Sequence, residues 1–245
     1  MVTIWKAVMI AGTVILAGFV RGYSGFGFSM IAVVLLSMIL SPSQIVPVIL
    51  MLEVAASALL LPRAWRHIHW TSLKWLSLGV MIGTPLGVYL LASIPPMEMR
   101  IAIGIVVLLL GACMWYGFSL QKMPNRLQTS LAGVASGVLN GSTSMGGPPI
   151  ILFYLSGPSG AEVSRASMIA FFLGTDIFAF GVAVAHGIIT SQTWLLLGIS
   201  LVPLWSGIWL GSIFFDPEKA ATYRRRTIAL LMVLALIALM RNLWR

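Results

Sequence analysis

Residues 139 to 152 read "LNGSTSMGGPPIIL". Three hydroxyl side chains, Asn140 and the helix-interrupting run Gly141, Gly146, Gly147, Pro148 and Pro149 stand between two apolar stretches. The meaning of the segment depends on what surrounds it. Of the whole chain 59% is hydrophobic and only 9% charged, and the mean hydropathy is +1.01, a composition foreign to soluble globular domains. Apolar runs of about 15 to 20 residues recur throughout, close to the length that crosses a hydrocarbon core of about 30 Å. The runs are continuous rather than alternating, so they predict helices and disfavour a β-barrel. The expected fold is an all-α integral membrane protein. In lipid every backbone N–H and C=O needs a partner, so a Gly/Pro break at membrane depth must be buried in protein or line a wet cavity.

Ten helical segments are expected, at 3 to 21, 26 to 41, 44 to 61, 75 to 92, 101 to 119, 127 to 140, 146 to 156, 166 to 185, 193 to 214 and 227 to 241. The first has Lys6 ahead of an apolar run but no small-x-small site after it, so it reads as a retained helix rather than a leader. The net charge of +9 sits mostly in short loops, where it reports topology rather than nucleic-acid binding. Cys113 is the single cysteine and has no internal partner.

The breaks recur. "LAGFVRG" (16 to 22) lines up with "LAGVASG" (131 to 137), each running into a Gly-rich interruption. Farther on, "GTPLGVYLLASIPPMEMR", ending at Arg100, aligns without gaps on "GIWLGSIFFDPEKAATYR", ending at Arg224. The chain therefore reads as two diverged copies, 1–120 and 127–245, forming one integrated membrane domain. Arg63, Arg66 and Lys74 fill a loop of the first copy whose counterpart "HGIITSQ" is uncharged, while Arg224, Arg225 and Arg226 answer the nearly neutral "IPPMEMR". By the positive-inside rule the copies run in opposite directions. The prediction is two inverted repeats of about five helical segments each, with Gly/Pro-broken helices at the centre. The linker with Lys122 and Arg126 falls inside and both termini outside, although Lys6, Arg241 and Arg245 oppose that placement. Inverted repeats with interrupted helices are the architecture of secondary transporters.

A helix that begins at a break offers free N–H groups and the positive end of its dipole. Pro148 and Pro149 suit its first turn. In the first copy Gly25 and Gly27 precede "FSMIAVVLL". Two such half-helix starts near the midplane make an anion site. Its expected lining is Arg21, Ser24, Gly25 and Gly27 from the first break, with Asn140, Gly141, Ser142, Thr143, Ser144, Gly146 and Gly147 from the second. Packing glycines between close helices are the alternative. Arg21 reads either as the fixed cation of that site or as an interfacial arginine. Glu53 and Asp176 fall mid-span, where a buried carboxylate is either a proton carrier or a structural partner of Arg21 or Arg165.

The paired Gly-rich breaks, the form "NGSTSMGGPP" and the Gly-xxx-Gly spans with trailing basic loops resemble the TauE/SafE family over nearly the whole chain. The resemblance implies a membrane transporter, an exporter of sulfite, sulfoacetate or related organosulfonates. Where many relatives carry a Gly triplet, this chain has "GFGFS", whose Phe26 and Phe28 narrow and grease the first break. A passive anion channel is the rival reading, since channels need no titrating carboxylate. No zinc-spaced His/Glu cluster or Ser-His arrangement supports an enzyme; His67 and His69 share a basic loop with arginines. The expected partners are a small anion, protons and the lipid bilayer, with no cofactor, no metal and no nucleic acid; the multi-pass chain is expected in the cell (inner) membrane, and a homo-oligomer is compatible with it.

Overall fold

The computed structural model describes residues 4–24, 27–116, 124–155 and 161–214, with isolated helical positions between 229 and 240. Every regular element among them is helical: α1 (Ile4–Ser24), α2 (Phe28–Ser37), α3 (Pro42–Ala64), α4 (Trp70–Ser93), α5 (Pro96–Trp115), α6 (Arg126–Thr143), α7 (Gly147–Leu155), α8 (Ala161–Ala185) and α9 (Ser191–Ile213), with a 3-10 turn at Trp65–His67. The tenth expected segment, 227 to 241, lies almost wholly outside the described residues, as do Lys122 and Arg224 to Arg226.

Local chemistry explains boundaries that the hydropathy pattern places late. α4 starts at Trp70 rather than 75 because His69 caps it, its Nδ1 accepting the Ser72 N–H at 3.3 Å. α5 starts at Pro96, where a missing N–H costs nothing. α6 opens with a capping box: Asn125 Oδ1 accepts the Gln128 N–H at 2.9 Å and Gln128 Oε1 accepts the Asn125 N–H at 3.0 Å.

Among the described residues, four helices are long and apolar enough to cross a membrane, within Ile4–Tyr23, Trp70–Ser93, Ala166–Ala185 and Ser191–Ile213. They leave large apolar side chains uncovered, Ile82 at 71% and Val202 at 75% exposure, a surface suited to acyl chains. The breaks are real interruptions. α2 has 10 residues and α7 has 9, so at ~1.5 Å per residue each reaches about half of the ~30 Å core.

The described helices fall into two compact units, and the division cuts α3 between Leu52 and Glu53. The first unit holds α1, α2, α5, α9 and the start of α3. Its spine is a glycine seam: a Cβ placed on Gly22 would strike the Ile208 carbonyl, and one on Gly207 or Gly211 would strike the carbonyl of Ile15 or Phe19. Arg100 of α5 donates its guanidinium to the Ser37 and Leu40 carbonyls, satisfying the open C-terminal end of α2. Gln44 of α3 donates to Gln192 of α9 at 3.2 Å.

The second unit holds the rest of α3 with α4, α6, α7 and α8. Its seam pairs α4 with α6, where a Cβ on Gly79, Gly83 or Gly87 would strike the carbonyl of Ser130, Val134 or Val138. Carbonyls lying over glycine Cα atoms at each turn are the arrangement of Cα–H···O contacts, worth ~0.5–1 kcal/mol each. Arg126 extends the seam by lying 5.3 Å from the Trp75 ring centroid. Beside it Leu76, Val80, Ile150, Phe153, Tyr154 and Phe171 form an apolar core joining α4, α7 and α8.

The two seams correspond contact by contact, in a register one helical turn from the alignment of "LAGFVRG" on "LAGVASG". Gly18 meets Leu204 and Ile208 as Gly137 meets Val80 and Thr84; Gly22 meets Ile208 as Gly141 meets Thr84. The second alignment read from the sequence, with Gly83 on Gly207, fits this packing. The first does not: Gly18 answers to Gly137, one helical turn beyond Gly133. Glycines spaced four residues apart match one another equally well after a slip of one turn. The ends agree with the later register, since α1 ends at Ser24 as α6 ends at Thr143, and α2 starts at Phe28 as α7 starts at Gly147. In that register Arg21 of the first copy occupies the place of Asn140 in the second.

Candidate functional site

The second break lies within one unit. Asn140, 3% exposed, donates through Nδ2 to Asp176 Oδ1 at 2.8 Å and accepts the Gly146 N–H at its Oδ1 at 3.3 Å. Ser136 Oγ donates to the Gly146 carbonyl at 2.7 Å. A carboxylate on spanning helix α8 is thereby linked through one amide to the residue just before the start of α7. Gly146 has no room for a side chain, since a Cβ there would sit 2.9 Å from that of Asn140. Gly141 belongs to the seam with α4.

The hydroxyls divide sharply. Ser142 Oγ donates to the Val138 carbonyl at 2.7 Å and Thr143 Oγ1 to the Leu139 carbonyl at 2.6 Å. Both protons are spent within α6, a habit of Ser and Thr inside helices. Ser144 differs. It caps α6 in the left-handed region, φ 59°, is 3% exposed, and its Oγ has no hydrogen-bond partner among the described residues. A left-handed conformation costs a non-glycine residue ~1–2 kcal/mol, and a buried hydroxyl without a partner costs more. Strain combined with an unused donor points to function.

The two helix starts differ in donors. Pro148 and Pro149 carry no N–H, so Gly147 alone among the first three residues of α7 offers one. In the first unit Gly27, in the left-handed region at φ 91°, precedes α2 and gives it no side-chain cap, and Phe28, Ser29 and Met30 each bring an N–H. The Gly27 carbonyl accepts the Ile31 N–H at 3.1 Å. Arg21 lies in the last turn of α1 and is buried at 7%. Gly25 and the Ser24 side chain lie outside the described residues, as do Phe26 and the side chain of Arg165. Phe28 is fully buried. Glu53, 5% exposed, is assigned to the second unit.

A polar chain that pattern reading missed fixes the other end of α7. Tyr154, 2% exposed, shares a hydrogen bond of 2.8 Å with Ser72 Oγ. Ser72 in turn binds the His69 carbonyl, and the His69 N–H donates to Ser167 Oγ at 2.9 Å. Ser164 Oγ donates to the Tyr154 carbonyl. A single Tyr in an apolar run gives no sign in sequence of partners on two other helices.

Comparison with known proteins gives the family. Residues 10–238 match the family described as "Sulfite exporter TauE/SafE". A protein of Cupriavidus necator described as "Probable sulfite/organosulfonate exporter TauE" is 25% identical over 237 residues, covering 93% of this chain and 89% of that one. No solved structure matches. With apolar spans, two interrupted helices and a match over most of its length, this multi-pass membrane protein, a transporter rather than an enzyme, belongs to the sulfite exporter TauE/SafE family.

Proposed function

We propose that the chain is a secondary transporter that exports small sulfur-containing oxyanions, sulfite, sulfoacetate or other organosulfonates, across the cell (inner) membrane. Family membership and the relative's description support the substrate class. The observation that carries the binding mode is the buried Ser144 Oγ, without a hydrogen-bond partner among the described residues, three residues before the Gly147 N–H at the start of α7. A sulfonate oxygen placed there takes both donors and the positive end of the α7 dipole. At the first break the N–H groups at the start of α2 serve the same chemistry, with Arg21 as the nearby cation of α1.

Coupling follows from Asp176. Its charge state acts on Asn140, which holds the Gly146 N–H, so a proton gained or lost on α8 is felt at the start of α7. A carboxylate 3% exposed is costly to keep charged in a dry site, which makes its protonation responsive to an arriving anion. Glu53, 5% exposed, is the other coupling candidate. The test is sulfite efflux from proteoliposomes with and without an imposed pH difference. In the parent, flux follows the proton gradient; in Asp176→Asn it no longer does, while sulfite binding persists. Flux in the parent that ignores the gradient makes the protein a passive anion channel.

A further inference from the structure

An open groove of about 420 Å³ in the second unit is lined by Ala58, Leu61 and Pro62 of α3, Trp65 and Arg66 of the following turn, and Leu173 of α8. Its volume lies in the range of about 300–1,000 Å³ typical of small-ligand pockets. Five of the six lining residues are apolar or aromatic, the sixth is a cation, and no carboxylate lines the groove. Its walls are apolar helices: Leu173 lies inside the candidate span Ala166–Ala185, and the α3 residues follow the shorter apolar stretch Pro42–Ala58. In sequence, Arg63, Arg66 and Lys74 cluster around this turn, from the end of α3 to the first turns of α4. Trp65 and Trp70, exposed at 53% and 52%, meet edge to face at 5.1 Å there, the placement of aromatic side chains at a membrane–water interface.

A ligand complementary to this surface has one alkyl chain and one anionic head at its end. We propose that the groove holds an acyl chain of an anionic phospholipid, with the headgroup phosphate on Arg66 and the glycerol region against Trp65. Charge complementarity selects the head: basic residues beside spanning helices attract anionic lipid at ~1 kcal/mol each, and a guanidinium matches a phosphate with two parallel N–H donors. The apolar walls select the source of the phosphate, since a soluble phosphate ester leaves them uncovered. The site is separate from the helix breaks and does not depend on which anion is transported.

The experiment uses the full chain purified in detergent and exchanged with phosphatidylglycerol or phosphatidylcholine of identical acyl chains, with retained lipid counted by native mass spectrometry and melting followed in parallel. The parent is expected to retain phosphatidylglycerol preferentially and to melt higher in its presence. Arg66→Ala should lower that preference about tenfold or more, while Arg66→Lys, a point charge without the planar fork, keeps part of it. Leu173→Trp, which fills the groove from the α8 side, should reduce retention of both lipids. Arg66 is exposed, so its variants fold. Equal retention of the two lipids by the parent overturns the proposal, as does an undiminished preference in Arg66→Ala. Displacement of phosphatidylglycerol by chainless glycerol phosphate overturns it too, identifying a soluble-anion site instead.

Discussion

Ser144 sets folding against function in a single residue. Replacing it with glycine relieves the left-handed conformation, and Ser144→Gly is expected to melt at a higher temperature, a gain of ~1 kcal/mol. The same change removes the hydroxyl that faces the proposed anion. A hydrogen bond to a charged group is worth ~1.5–3 kcal/mol, so sulfite affinity should fall about tenfold or more, read by calorimetry on the same preparation. Loss of affinity together with loss of stability would make Ser144 a packing residue. The sequence marks this segment as polar and broken but does not separate its three hydroxyls. Ser142, Thr143 and Ser144 look alike as three adjacent hydroxyls, and only the backbone decides that two of them bond to carbonyls one turn back while the third turns out of the helix. Asn140 is legible as a polar residue at a break. That it holds Asp176 with one end and Gly146 with the other requires knowing that α8 passes beside it, which no local pattern records.

At the scale of helices, glycine has two different meanings that composition cannot separate. Gly83 faces the α6 backbone, and a methyl there would meet the Val134 carbonyl; Gly174 of α8 has nothing within 4 Å of a built Cβ. Gly83→Ala should therefore destabilise the protein by ~1–3 kcal/mol, as overpacking does in close-packed interiors. Gly174→Ala should be neutral or gain up to ~1 kcal/mol from helix propensity. Thermal melting of both variants in one detergent checks the contrast; equal effects would deny that the seam is a backbone-to-backbone contact. The Gly-xxx-Gly spacing makes the seams legible as close contacts. Their partners are not, because the same spacing also permits the one-turn slip that sets "LAGFVRG" on "LAGVASG". Only the ends of α1 and α6 and the neighbours of each glycine fix the register. Arg100 shows a similar limit: in sequence it is one more loop cation, whereas its place is the C-terminal end of α2.

For the whole molecule, loop charge is the feature that sequence states most directly. The sequence expectation places the basic stretch around Arg66 and the linker around Arg126, with α4 and α5 between them in the chain, on one face, and by the positive-inside rule that face is expected to be cytoplasmic. Single cysteines at 67 and 124, in a Cys113→Ala background, should react with an impermeant maleimide only after the membrane is opened, whereas a cysteine at 188, between α8 and α9, should react in sealed cells. The reverse pattern would invert the topology. Membrane insertion and helix interruption are thus legible from composition and from Gly/Pro placement. The exchange of partners between the halves is not, since it arises from contacts between segments far apart in the chain. That exchange has a consequence for how the protein is made. α6 leaves the ribosome soon after α4, its partner. α1 emerges first, yet its seam is completed by α9, so at ~5–20 residues per second it waits roughly 10–40 s with its glycine face turned to lipid. The unit built on α4 and α6 is set to assemble while the chain is still growing. The unit that contains the N-terminus closes last, and a ribosome stalled before Ser191 leaves it open.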